Sequence, residues 1–351
     1  METLIHGGDI YSLPGGSDVL DFSANINPLG LAGNVRQSIL NSVENCVNYP
    51  DPLCRRLKKC IAGWEDVEPD EIVCGNGAAD VIYRLVSALR PKKALLIAPG
   101  FADYETALAE AGCALGFYKL KEENGFRLDS DFLECIYQGL DIVFICNPNN
   151  PTGVLVQPDL MRRILDQCTC CGTLLVVDEC FNDFLEGPEE HTMKPFLKQS
   201  NLFLLKAFTK IFAVPGLRLG YGLCGNKRII DMVSRCGQAW SVSVVAQEAG
   251  AAAVLEKDYV LKTRRIVAAE RDFLKSWLIE FGFNVYDSRA NFIFFKSKAN
   301  GLQEFLLSKR ILIRSCANYR GLSPDFYRIA VRLHPQNEKL ICAIGDFLKG
   351  K

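Results

Sequence analysis

KAFTKIFAVPGLRLGY, residues 206–221, ends an apolar run and sets Lys210 eight residues ahead of Arg218, which Leu-Gly-Tyr follows. The preceding letters, NLFLLKAF (201–208), have the length and composition of a buried strand. A lysine at the end of such a strand meets surroundings that solvate its charge poorly. The neutral amine is then favoured, and a neutral lysine amine can form a Schiff base with a carbonyl group. A solvated surface lysine has the same local sequence, so the decision rests on the rest of the chain.

Five further runs share the pattern: EIVCG (71–75), ALLIAPG (94–100), GLDIVFICNP (139–148), TLLVVDE (173–179) and LRLGYGL (217–223). Helical-length segments such as AADVIYRLVSAL (78–89) and PDLMRRILDQC (158–168) separate them. Nearly continuous apolar strands alternating with amphipathic helices predict an α/β fold with a parallel sheet covered on both faces. Beyond it come a helical pattern from about Val244 to Phe281, strand-like ANFIFFKS (290–297), a helix near LQEFLLSKR (302–310), strand-like ILIRSC (311–316) and FYRIAVR (326–332), and a helix over 337–348. That order predicts a smaller α+β domain. With 351 residues, the chain exceeds the ~250–300 at which a single core stops growing. The expected division is 1–35 packing with the small domain, 36–235 as the large domain, and 236–351 as the small domain.

Three motifs accompany Lys210. Asp178 ends the run TLLVVDE, and a buried carboxylate needs a cation or a cap to satisfy. The protonated ring nitrogen of pyridoxal 5′-phosphate is such a cation. GNGAAD, residues 75–80, sits between a strand and a helix, where free N–H groups of a first helical turn hold a phosphate. PNNPTG, residues 148–153, puts Asn150 at a strand's C-terminal end, in reach of the cofactor's phenolic oxygen; an ordinary turn has similar letters. Each motif alone is weak. Their order, GNG, NNPTG, DE, then TK with arginine eight residues on, is specific.

The ordered set resembles fold-type I pyridoxal-phosphate enzymes, in the branch of histidinol-phosphate aminotransferases and threonine-phosphate decarboxylases. HGGDIY (6–11), LDFSANINPLG (20–30), PGFADY (99–104) and RILIRSCANYRGLSPDFYRIAVR (310–332) are similar to the cobalamin-pathway decarboxylases. The resemblance implies a large domain built on a mainly parallel seven-stranded sheet. It implies a phosphate cup of Gly75, Asn76, Gly77 and Ala78, with Arg218 paired to the cofactor phosphate and Thr209 beside it. Phe101 would stack on the ring, Asn150 face its oxygen, and Asp178 its nitrogen. Tyr49, in NYPDP, would reach the cofactor of a partner subunit, so a homodimer with a shared active site is implied. Arg328 would grip the substrate carboxylate. His6, Gly7, Asn25 and Arg314 would bind the phosphate of a small phosphorylated amino acid, with Asn150 also touching substrate.

Two positions depart from the wider pattern. Ala207 stands three residues before the lysine, where a serine hydroxyl is common, and Thr209 is placed to compensate. Phe181 stands three residues after Asp178, where aminotransferases carry tyrosine. The resemblance therefore implies decarboxylation of L-threonine O-3-phosphate. Decarboxylation of L-serine O-phosphate and histidinol-phosphate transamination are the rivals.

With 40 basic and 41 acidic residues, net charge −1, nothing in the charge balance calls for nucleic acid or an anionic membrane. No basic, helix-turn-helix appendage suggests a regulator. METLIHGGDIYSLPGG lacks a basic segment followed by an apolar run, and no apolar stretch nears the ~20 residues that span a bilayer, so a cytoplasmic location is expected. The fifteen cysteines are scattered, several in apolar runs (Cys146, Cys180, Cys224, Cys342), and suit a reducing cytosol. Cys168, Cys170 and Cys171 lack metal-site spacing, so no metal is expected.

Overall fold

The computed structural model describes residues 6–13, 18–199 and 201–350. Residues 1–5 and 14–17 of the expected N-terminal segment lie outside the described residues.

In chain order the strands are β1 (Leu20–Asp21), β2 (Ile72–Gly75), β3 (Lys93–Ala98), β4 (Ala114–Lys119), β5 (Ile142–Cys146), β6 (Leu174–Asp178), β7 (Leu202–Ala207), β8 (Gly220–Leu223), β9 (Asn284–Val285), β10 (Phe292–Lys296), β11 (Ile311–Leu312), β12 (Arg314–Ser315) and β13 (Phe326–Ala330). Seven form one sheet in the order β2-β8-β7-β6-β5-β3-β4. Neighbours from β7 to β4 pair in parallel, while β8 runs antiparallel to both β2 and β7.

The apolar runs became central strands because both of their faces are covered. Leu175, Val177 and Leu204 pack into one apolar cluster; Val176, Phe203 and Leu205, one residue out of phase, pack into another on the opposite face. Each such side chain contributes about 1.5–3 kcal/mol relative to exposure. Their alternation fixes the register, since a one-residue slip would exchange the two faces.

β4 was not among the runs quoted above. It is an edge strand with only partly buried side chains, so ALGFYK shows no continuous apolar signal. The helical pattern from Val244 to Phe281 is two helices, Val244–Ala253 and Lys257–Glu280, interrupted where Glu256 leaves helical geometry. The last helix starts at His334, earlier than expected, with Pro335 in its first turn.

A four-stranded antiparallel sheet, β12-β13-β10-β9, forms from the later part of the chain. ILIRSC is not one strand. Ile311 and Leu312 pair in parallel with β1, whereas Arg314 and Ser315 pair with β13. The N-terminal segment forces that split. The Phe22 N–H donates to the Leu312 carbonyl at 2.7 Å, and the Ala330 N–H donates to the Phe22 carbonyl at 2.7 Å. Cys342 also departs from expectation: it is exposed, whereas Cys146, Cys180 and Cys224 are buried.

An ionic cluster lies within the fold close to the end of β7. Lys206 Nζ is 3.3 Å from Glu179, 3.7 Å from Glu65 and 4.0 Å from Asp183. Tyr221 donates to Glu65, and Lys194 sits 3.4 Å from the same carboxylate. Burial pushes the Glu179 and Asp183 carboxyls up, against the pull of Lys206. At Glu65 burial pushes the same way, but Lys206, Tyr221 and Lys194 outweigh it and the carboxyl falls below its ordinary value.

Candidate active site

The C-terminal ends of β5, β6 and β7 open onto a cavity of about 300 Å³, where parallel strands of α/β folds place their ligands. Cys146, Asp178 and Ala207 reach it from those ends, and Lys210 enters from the short helix Phe208–Ile211. Asn27 fixes that helix from the N-terminal segment. Its N–H donates to the Lys210 carbonyl at 3.1 Å, and its Nδ2 donates to the Ile211 carbonyl at 2.6 Å.

Burial, then the charges of Arg328 and Arg218, hold the Lys210 amine below the ordinary lysine range, against the opposing pull of Cys180 and Asp178. A sign follows for pH. Attachment of a carbonyl cofactor needs the neutral amine. The rate of covalent loading of the cofactor-free protein will therefore rise with pH along a curve whose midpoint lies below the ordinary lysine value of ~10.4. Arg328→Gln removes one positive neighbour and will move that midpoint up. Absorbance-detected loading across a pH series measures both; a wild-type midpoint at or above the ordinary value contradicts the assignment.

Asp178 is buried at 6% exposure. It accepts from the Tyr104 hydroxyl at 2.5 Å and from the Cys180 N–H at 2.9 Å. Among the described residues no cation lies within ion-pair distance of it, so its charge is left for a cationic ligand atom.

The helix Gly77–Leu89 begins at the cavity wall without a side-chain cap on its first N–H groups, and Ala78 and Ala79 line the cavity. Gly77 has φ +85°, and a Cβ there would meet Arg218 Nη2 at 2.6 Å. A Cβ on Gly220 would meet the Ala78 nitrogen at 2.3 Å. The loop and Arg218, itself at φ +55°, thus close on one spot, an anion cradle of backbone N–H groups and a guanidinium. Among the described residues no carboxylate pairs with Arg218. Gly77→Ala will weaken cofactor affinity about tenfold or more, because it adds left-handed strain and displaces Arg218. Titration of the cofactor-free variant measures this, and wild-type affinity would contradict it.

On the other side, Arg328 is buried at 5% exposure. It donates to Asn150 Oδ1, to the Ser23 carbonyl at 2.9 Å and to the Tyr319 hydroxyl at 3.4 Å, while its Nε is buried without a partner. No carboxylate among the described residues pairs with it. His6 lines the cavity, bridged to Asp103 at 3.0 Å and 5.5 Å from the Phe101 ring, which packs edge-on to Tyr104. Gly7 lies so near the chain that a Cβ would meet the Ser23 carbonyl at 2.3 Å, and Gly8 N–H donates to Ser23 Oγ at 2.7 Å. Asn25 Oδ1 is buried without a hydrogen-bond partner and Asn25 faces the cavity.

Of the residues expected from sequence, His6, Gly7, Asn25, Ala78, Phe101, Asn150, Asp178, Thr209, Lys210, Arg218 and Arg328 line this one cavity. Gly75, Asn76 and Gly77 shape the cup behind Ala78; the Asn76 N–H donates to Asp80 at 2.9 Å. Arg314 does not line the cavity; its guanidinium lies 5.6 Å from the ring centroid of Tyr319, which does. Tyr49 is away from the cavity, 80% exposed and stacked on Trp240 at 4.6 Å. Tyr104, Ser23, Asn27 and Tyr319 were given no role from sequence. Tyr104 had a signal, since it follows Phe101 by one helical turn and so shares its face. Among the described residues no group of three or more His, Cys, Asp or Glu side chains is arranged to hold a metal ion.

These residues fit pyridoxal 5′-phosphate part by part. The cradle suits its phosphate, Asp178 its ring nitrogen, Lys210 its aldehyde, and the Asn150 amide its ring oxygen. Phe101 supplies an apolar wall. His6, Gly7, Asn25 and Arg328 remain as a second anion-binding group.

The family described as aminotransferase class I and II matches residues 17–344. The chain is 36% identical to the threonine-phosphate decarboxylase of Salmonella typhimurium, over 98% of this chain and 97% of that one. Among solved structures, the histidinol-phosphate aminotransferase from Clostridium acetobutylicum superimposes with a TM-score of 0.89 at 30% identity, covering 95% of this chain and 100% of that chain. The L-threonine-O-3-phosphate decarboxylase from Porphyromonas gingivalis does so with a TM-score of 0.82 at 27% identity, covering 94% of this chain and 100% of that chain.

Proposed function

Because the chain belongs to the class I and II aminotransferase family and works with pyridoxal 5′-phosphate, we propose that it decarboxylates L-threonine O-3-phosphate. The product is (R)-1-amino-2-propanol O-2-phosphate, the linker of the cobalamin nucleotide loop. The observation that carries this reading is Phe181. It lines the cavity three residues after Asp178 and packs edge-on to Phe292 at 5.0 Å, so this wall offers no hydroxyl of the kind transaminases use there.

When bound, the cofactor supplies an electron sink for the pair left as a bond to Cα breaks. The chain's own residues choose the bond. Arg328 holds the carboxylate, while His6, the Gly7 backbone and Asn25 hold the phosphate. Anchored at both ends, the substrate presents its Cα–carboxylate bond for cleavage. Lys210 then returns a proton to Cα.

The site is completed by a second subunit in this reading. Tyr49 and Trp240 form an exposed aromatic pair, with Val47 at 87% and Leu53 at 54% exposure nearby in sequence, an apolar surface suited to a homodimer. Residues 1–35 belong with the small domain, which the β1–β11 pairing supports. A cytoplasmic location is consistent with the absence, among the described residues, of any helix long and apolar enough to cross a membrane.

L-Serine O-phosphate differs by one methyl, worth about 1–3 kcal/mol in discrimination. The test is carbon dioxide release from each phosphoamino acid without any keto acid. Release from L-threonine O-3-phosphate supports the reading. A strict requirement for 2-oxoglutarate, with histidinol phosphate as substrate, overturns it in favour of the aminotransferase to which the fold is also similar.

A further inference from the structure

Tyr319 stands between Arg328, which belongs to the second anion-binding group, and Arg314, which lies outside the cavity and donates to Asn318 Oδ1 at 2.8 Å. Its ring lies under the Arg314 guanidinium at 5.6 Å, a cation–π contact. Its hydroxyl accepts from Arg328 Nη1 at 3.4 Å and donates to Asn150 Oδ1 at 3.4 Å. The same Asn150 oxygen accepts from Arg328, so Tyr319, Arg328 and Asn150 form a closed triangle at the cavity wall. The loop bearing Tyr319 is tied down next door, where Arg320 pairs with Glu105 at 2.5 Å and lies 4.2 Å from the Phe117 ring centroid.

Burial raises the Tyr319 hydroxyl above the ordinary tyrosine value, with Arg328 pulling the other way, and the phenol stays protonated at neutral pH. It therefore both donates and accepts.

We propose that Tyr319 is a positioning residue that serves both ends of the substrate: its hydroxyl aims Arg328 at a carboxylate, and its ring holds the Arg314 charge just outside the cavity wall, where it favours a phosphate without touching it. The inference rests on the reading of the cavity as a phosphoamino acid site, with Arg328 at its carboxylate end and His6, Gly7 and Asn25 at its phosphate end. It goes beyond that reading by dividing one side chain into two separable functions. A wall tyrosine that only fills space would show no such division.

The division is tested by calorimetric titration of the holoenzyme with two half-ligands. L-Threonine has the carboxylate and no phosphate; O-phosphoethanolamine has the phosphate and no carboxylate. Tyr319→Phe keeps the ring and removes the hydroxyl. It will weaken L-threonine about tenfold and leave O-phosphoethanolamine within about twofold of wild type. Tyr319→Leu removes both and will weaken both ligands about tenfold. If the phenylalanine variant weakens both ligands equally, or neither, while wild type binds both, the inference fails and the functional reading stands. If wild type binds neither ligand, the two-anchor reading fails and takes the inference with it.

Discussion

Replacing Lys210 with alanine will cut turnover by about three orders of magnitude or more, and the cofactor will no longer be held covalently. The variant loses two functions at once. Its side chain has no amine to carry the cofactor, and none to return a proton to Cα. The fold should survive, because the short helix is anchored through its backbone by Asn27 and not through the lysine side chain. The readouts are the absorbance of the lysine-linked cofactor and the rate of carbon dioxide release. Retention of either at wild-type level would remove Lys210 from the centre of the site.

The second large effect concerns stability. Lys206→Met will destabilise the protein by about 3–5 kcal/mol, because removing one partner from a buried ionic cluster strands the others. Lys206 has a side-chain exposure of 5%, Glu179 of 0% and Glu65 of 3%. Their carboxylates would lose their main compensating charge. The pH dependence has a definite sign. In the variant the stranded carboxyls have raised folded pKa values, so the folded state takes up protons and the deficit shrinks as pH falls towards ~4, the ordinary carboxylate range. It is fully developed only above the raised values. Urea denaturation of wild type and variant at pH 8 and at pH 5 measures this. A deficit that is independent of pH would mean the cluster is not ionised as described.

The sheet was legible because its central strands are buried on both faces, so NLFLLKAF reads as an apolar run followed by Thr209 and Lys210, and TLLVVDE as one ending in Asp178 and Glu179. The ends of those runs are where the chemistry sits, which is why Lys210, Asp178 and Asn150 could be picked out. The edge strand β4 was not legible, since a half-covered strand has no such run. The division of ILIRSC between two sheets was also hidden, because the N-terminal segment that causes it lies about 290 residues away in sequence. Arg314 was expected at the ligand and instead lies over Tyr319. Lys206 illustrates the same limit. It reads as a charge interrupting a strand, and only the fold brings Glu65, Glu179 and Asp183 to it. Ser23 acts through Gly8, 15 residues away, for which local sequence has no signal; Tyr104 shares the helix face of Phe101, but its partner Asp178 lies 74 residues away.

The central claim is that these anchors direct cleavage of the Cα–carboxylate bond and that Lys210 then protonates Cα. Incubation with L-threonine O-3-phosphate in deuterated water, without any keto acid, tests it in one vessel. The account predicts carbon dioxide and an equal amount of 1-amino-2-propanol O-2-phosphate bearing one deuterium on the amine-bearing carbon, seen by mass spectrometry. A phosphorylated keto acid with the carboxylate retained, and no carbon dioxide, would contradict it.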